Sequence, residues 1–140
     1  MTRRRLHTHG RYLGLVFAGG ALGTALRESI GLVMPPVAGW PVGILFANVT
    51  GAFALGVVLE SLSRRGSDEG RRRALRLFLG TGVLGGYTTY SALSVDSVTL
   101  ATSGHLTQAL AYAVGTLLAG LVAAAAGIVL AARLPSRGAA

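Results

Sequence analysis

Inside its apolar stretches this chain carries few polar side chains, and those few could do chemistry. Asn48 is an amide in an otherwise apolar run, with Gly43, Gly51 and Gly56 nearby. It either glues helices together or lines a polar path, and the residues alone leave both open. Tyr112 and Thr116 stand at i and i+4, so they share one helix face ahead of Gly120. Their hydroxyls form a ladder, or Thr116 bonds back to its own helix. The run Gly82-Val83-Leu84-Gly85-Gly86-Tyr87-Thr88-Thr89-Tyr90-Ser91 places two adjacent glycines before two threonines. This weakens a helix. A break there frees carbonyls that can coordinate a cation and amides that can face an anion. The other reading is close helix packing through small residues.

The elements that position these groups are four stretches without a fully charged side chain, at 13–26, 42–59, 77–95 and 106–132. A bilayer core of ~30 Å takes ~20 apolar residues in a helix. Backbone groups in lipid must be satisfied internally, and the runs lack period-2 alternation, so helices rather than a barrel are predicted. The reading is an all-α membrane protein, a single channel-sized unit over 1–140, with helices at about 12–33, 42–63, 77–102 and 106–132. Pro35, Pro36 and Pro41 separate the first two, and Trp40 suits an interface. No internal repeat is visible.

All thirteen basic residues are arginines, and they lie at or between the ends of these stretches. Arg3, Arg4, Arg5, Arg11, Arg64, Arg65, Arg71, Arg72, Arg73, Arg76, Arg133 and Arg137 fall on the side shared by both termini. Only Arg27 falls opposite. Cytoplasmic loops carry the excess of arginine, so both termini are expected inside the bacterial plasma membrane. The net charge of +8 and pI near 11.5 belong to these flanks rather than to a free nucleic-acid-binding domain. Mean hydropathy is +0.58. Cysteine is absent, so no disulfide or thiolate metal site forms. His7, His9 and His105 lack ligand spacing. Asp96 and Glu28 are expected near the outer interface, where a proton relay is the minor reading. No catalytic constellation appears, so no enzyme is expected. The first apolar run is too long for a cleavable signal peptide.

Three segments in order resemble the fluoride channel family called CrcB or Fluc. Gly19-Gly20-Ala21-Leu22-Gly23-Thr24-Ala25-Leu26-Arg27 is like the family's GGxxGAxxR. Gly43-Ile44-Leu45-Phe46-Ala47-Asn48-Val49-Thr50-Gly51-Ala52-Phe53-Ala54-Leu55-Gly56 is like GTLxxNxxGxFxxG. Residues 82–94 are like GxxGGxTTFSTFS. The resemblance implies an antiparallel dimer with two fluoride pores and a central structural sodium ion at the dimer interface. It implies that Gly85 and Thr88 give sodium their backbone carbonyls. Asn48, Tyr90, Leu93, Tyr112 and Thr116 match the fluoride pore, and Arg27 matches the vestibule arginine. Fluoride is tightly hydrated, so its pore must replace water with donors. An amide, a hydroxyl and polarised ring edges are such donors.

Two departures stand out. The family's phenylalanine pair is Tyr90 and Leu93 here, and leucine has no polarised ring edge. The arginine bias also disfavours insertion in two orientations. An oppositely oriented homologue is therefore the expected partner, with a homodimer as the alternative. A largely nonconducting partner subunit is a second reading. A small multidrug-type transporter is a third, but it wants a mid-membrane carboxylate, and Glu28 and Glu60 lie at span ends.

Overall fold

The computed structural model describes residues 10–134. Arg3, Arg4, Arg5, His7, His9, Pro135 and Arg137 lie outside the described residues. The fold is all-helical: α1 (Gly10–Val33), α2 (Val42–Ser63), α3 (Gly70–Leu75), a π-helical segment (Arg76–Leu84), α4 (Gly85–Tyr87), α5 (Tyr90–Thr102) and α6 (Leu106–Arg133). No strand occurs among the described residues.

Each boundary has a local cause. Between α1 and α2, Val37 and Trp40 exchange backbone hydrogen bonds of 3.0 and 2.9 Å around Ala38 and Gly39, both at positive φ. Pro41 then admits α2 by fixing its own φ ahead of the first turn. At the end of α5, Gly104 adopts φ +86°. His105 N donates to Leu100 O and Gly104 N to Ala101 O, so a Schellman turn satisfies the last carbonyls. The third helical segment starts at Gly70, ahead of the expected 77. The reason lies in the preceding loop, where Arg73 Nε donates to Asp68 O and Arg76 chelates the Asp68 carboxylate at 3.0 and 2.7 Å. Those hydrogen bonds from Arg76 hold the Asp68 carboxyl below the usual carboxylate range.

Glycine faces bring the helices together in two pairs. Gly19 and Gly23 of α1 meet Gly82 and Val83 of the π-helical segment, and a Cβ on Gly82 would lie 3.0 Å from the Gly19 Cα. Gly56 and Gly127 join α2 to α6, each with the other helix's backbone where a methyl would sit. Contacts rise in step along both pairs, Gly19 to Gly82 and Gly23 to Val83, Ala52 to Gly120 and Gly56 to Ala124, so each pair runs parallel. Small residues that let backbones approach are how helices associate in lipid.

Two helices are long and apolar enough to cross a membrane: Val42–Ser63, mean hydropathy 2.1, and Leu106–Arg133, mean hydropathy 2.3. Only 22% and 11% of their most apolar windows are buried inside the protein. Their apolar faces point outward, unlike the core helices of a water-soluble domain, and Phe17 and Leu32 on α1 do the same.

Candidate functional site

The third segment is interrupted where its backbone turns extended. Thr88 has φ −81° and ψ 155°, and Thr89 has φ −150° and ψ 125°. The opening falls two residues after Gly85-Gly86, not at the glycines themselves. Gly86 instead packs on the backbone of Gly20, so both sequence readings of this motif hold at different residues. Thr88 ends α4 by donating its amide and its hydroxyl to Leu84 O, at 3.0 and 2.9 Å. Thr89 starts α5 by accepting from Ala92 N at 3.2 Å.

Asn48 repairs the break. Its Oδ1 accepts from Thr89 N at 2.8 Å and its Nδ2 donates to Thr89 O at 3.0 Å. One carboxamide thereby replaces both bonds that a helix would have given that peptide residue. The second N–H of Nδ2 has no partner among the described residues.

Asn48, Thr88, Tyr90, Leu93 and Thr116 share one open groove of about 350 Å³, with Thr89 and Gly120 also on its walls. Tyr90 is 76% exposed, and Leu93 is 4% exposed and forms an apolar patch of the wall. Thr116 donates its only hydroxyl proton to Tyr112 O at 2.7 Å, so it shows the groove lone pairs. Tyr112 is not on the groove wall. Its buried ring sends its hydroxyl to Asp96 Oδ2 at 3.3 Å.

Arg27 and Gly85 lie outside this groove. Arg27 Nε donates to Gly86 O at 3.4 Å, Thr24 Oγ1 reaches the same oxygen at 3.5 Å, and Arg27 Nη1 pairs with Glu28 at 2.9 Å. The break therefore sorts its carbonyls. Leu84 O, Gly86 O and Thr89 O are occupied. The Thr89 amide, which would bond Gly85 O in a continuous helix, is turned to Asn48. Among the described residues the Gly85, Tyr87 and Thr88 carbonyl oxygens accept no hydrogen bond, and such oxygens are the donor type a hard cation such as sodium takes.

Three contacts were not visible in the sequence. Thr50 Oγ1 meets Tyr87 Oη at 2.9 Å. Arg64 Nη1 donates to the carbonyls of Ala131 and Ala132, closing the C-terminal end of α6 with a cation. Thr89 matters through its backbone rather than its side chain. Thr89 was marked in the sequence only as one of two helix-weakening threonines, and Thr50 only as a hydroxyl two residues after Asn48 in an apolar run.

A helical chain with outward apolar faces and an interrupted segment is a membrane protein, and its groove sets a few uncharged polar groups in a mostly apolar lining. The family model described as CrcB-like protein, Camphor Resistance (CrcB), matches residues 14–128. The chain belongs to the CrcB family. It is 50% identical to "Fluoride-specific ion channel FluC 2" of Leifsonia xyli subsp. xyli, over 98% of this chain and 97% of that protein. It is 49% identical to "Fluoride-specific ion channel FluC 1" of Cutibacterium acnes over 81% of this chain and 83% of that one. It is 45% identical to "Fluoride-specific ion channel FluC" of Rhizobium meliloti over 83% and 92%.

Proposed function

We propose that this protein is a subunit of a fluoride-selective channel through which cytoplasmic fluoride leaves down its gradient, and that it is not an enzyme. The observation that carries this reading is the groove at the break, where Asn48 keeps one N–H unspent beside Tyr90 and Thr116. Similarity to proteins named as fluoride channels, along nearly the whole chain, supports the choice of ion. An amide N–H and an aromatic ring edge replace part of the hydration of a small anion without fixing it by a full charge. Binding strong enough to admit an ion and weak enough to release it suits conduction.

In this reading α1, α2, the interrupted third segment and α6 are four spans in the bacterial plasma membrane. Both termini are cytoplasmic, and the break lies mid-membrane. The subunit is half of an antiparallel dimer surrounded by lipid. The Gly85 and Thr88 carbonyls, paired with those of the second subunit, hold sodium at the interface. A bound cation supplies positive charge that lowers the cost of an anion in a low-dielectric setting. Arg27 stands at the vestibule, while Thr116 meets the groove through its hydroxyl lone pairs and Tyr112 lies behind the wall, bonded to Asp96.

Leu93 favours a second reading, in which this subunit completes a dimer whose conducting surface belongs mainly to its partner. Reconstitution separates the two. Liposomes holding this protein alone, and with a homologous partner, are assayed for fluoride and chloride efflux. Fluoride flux far above chloride flux is expected from the conducting assembly. Equal fluxes overturn the fluoride reading, and flux only with the partner selects the second one.

A further inference from the structure

The Tyr87 and Thr50 hydroxyls are joined across two helices, next to the break and outside the groove. Thr50 Oγ1 lies 2.7 Å from Phe46 O and donates there, so its lone pairs accept from Tyr87 Oη at 2.9 Å. The donor order is thus set: Tyr87 to Thr50 to Phe46. The Tyr87 ring is seated as well. It lies over Gly51, where a Cβ would come within 3.0 Å of its Cδ1 and would collide with Thr88 Cγ2. Asn48, one turn earlier on α2, holds Thr89 at both its amide and its carbonyl. One turn of α2 therefore grips three consecutive residues, 87, 88 and 89, by three different means.

Thr88 carries an open carbonyl, and its neighbours on both sides are anchored to α2. That carbonyl belongs to the Thr88–Thr89 peptide, whose N–H Asn48 holds, and it swings when the Thr88 backbone turns between its two flanking peptides. The phenol bond restrains the Tyr87 side of that turn, because Tyr87 cannot shift without leaving both Thr50 and the glycine notch. Helices in lipid gain little else from hydrophobic burial, so one interhelical hydroxyl bond weighs on local geometry.

We infer that the Tyr87–Thr50 hydroxyl pair is a positioning device that sets the direction of the cation-binding carbonyls at the break. The inference rests on the channel reading above, in which Gly85 and Thr88 hold sodium. Tyr87 and Thr50 are positioning residues: neither touches the ion.

The test uses full-length protein in detergent and in liposomes. Thermal melting is followed against sodium concentration at constant ionic strength with potassium as the replacement. Wild-type protein should be stabilised by sodium. Tyr87→Phe keeps the seated ring and removes only the hydroxyl. It should need up to about threefold more sodium for half-maximal stabilisation, the size of one interhelical hydroxyl bond. Thr50→Val leaves the phenol unpaired and should shift at least as far. The double variant should shift no further than Thr50→Val alone. Sodium-dependent fluoride efflux should move in parallel. A pair that only glues helices lowers melting equally in sodium and potassium and leaves the sodium midpoint in place. That outcome overturns the proposal while the channel reading stands. Wild-type protein that ignores sodium overturns the sodium assignment and the proposal together, and wild-type protein without selective fluoride flux overturns the channel reading.

Discussion

At the residue scale, Asn48 does two things with one carboxamide. It satisfies the Thr89 peptide and leaves one N–H toward the groove. Asn48→Ala should then fail in two separable ways. Loss of both bonds orphans a peptide N–H and C=O where the helix is open, at a cost of about 1–3 kcal/mol in stability. Loss of the free N–H should cut fluoride flux in whatever assembles. Melting in detergent and efflux from liposomes read the two apart. Undiminished flux from normally assembled Asn48→Ala makes the residue helix glue alone. The sequence singled out Asn48 because an amide in an apolar run needs a partner, as helix glue or in a polar path, but it did not name Thr89 as that partner. Thr116 was legible in a similar way. Its bond to Tyr112 O is the back-bond that an i, i+4 hydroxyl in a helix makes. What stayed hidden were contacts between distant segments, such as Tyr87 with Thr50, which no periodicity encodes.

At the element scale, the glycines divide into those that set interhelix distance and those that do not. A methyl on Gly127 would enter the Phe53 carbonyl and lie 3.1 Å from Val57 N, both backbone atoms of α2. Backbone cannot step aside without parting α2 from α6. Gly127→Ala should cost roughly 1–3 kcal/mol, the range for overpacking a tight contact. Gly115→Ala, on the same helix, meets nothing within 4 Å. It should be neutral or stabilising by up to about 1 kcal/mol through helix propensity. Melting of the two variants side by side checks the contrast, and equal losses would refute this α2–α6 packing. The extents of α2 and α6 were plain from hydropathy. The π-helical stretch and the early start at Gly70 were not, because Asp68 organises Arg73 and Arg76 through space. The double glycine pointed to the right segment but not to the right peptide. The backbone opens at Thr88–Thr89, where Asn48 can bond it.

At the scale of the whole molecule, the parallel pairing of α1 with the π-helical segment and of α2 with α6 gathers the arginine-rich ends together. Arg64 bonds the last turn of α6, which brings the C-terminal ends of α2 and α6 to one end of the molecule, and the antiparallel run of α2 against the third segment brings Arg71–Arg76 to the same end. Arg27 lies away from that end, at the break. Cytoplasmic retention of arginine-rich flanks and attraction to anionic headgroups both act on this end. A chain so biased should insert one way, with both termini inside. Copies that all face one way cannot form an antiparallel dimer, so the expected assembly is a heterodimer with an oppositely oriented homologue. The numbered names of the Leifsonia and Cutibacterium relatives, FluC 2 and FluC 1, are compatible with paired subunits but do not select them. In such a pair the partner supplies aromatic edges that Leu93 lacks, and the two pores are unequal. A C-terminal reporter should show the cytoplasmic signal only, and this subunit purified alone should give little fluoride flux. Neutralising Arg71, Arg72 and Arg73 together should raise the outside fraction of the reporter. A substantial outside signal from the wild-type chain, or full flux from the lone subunit, establishes a dual-topology homodimer instead.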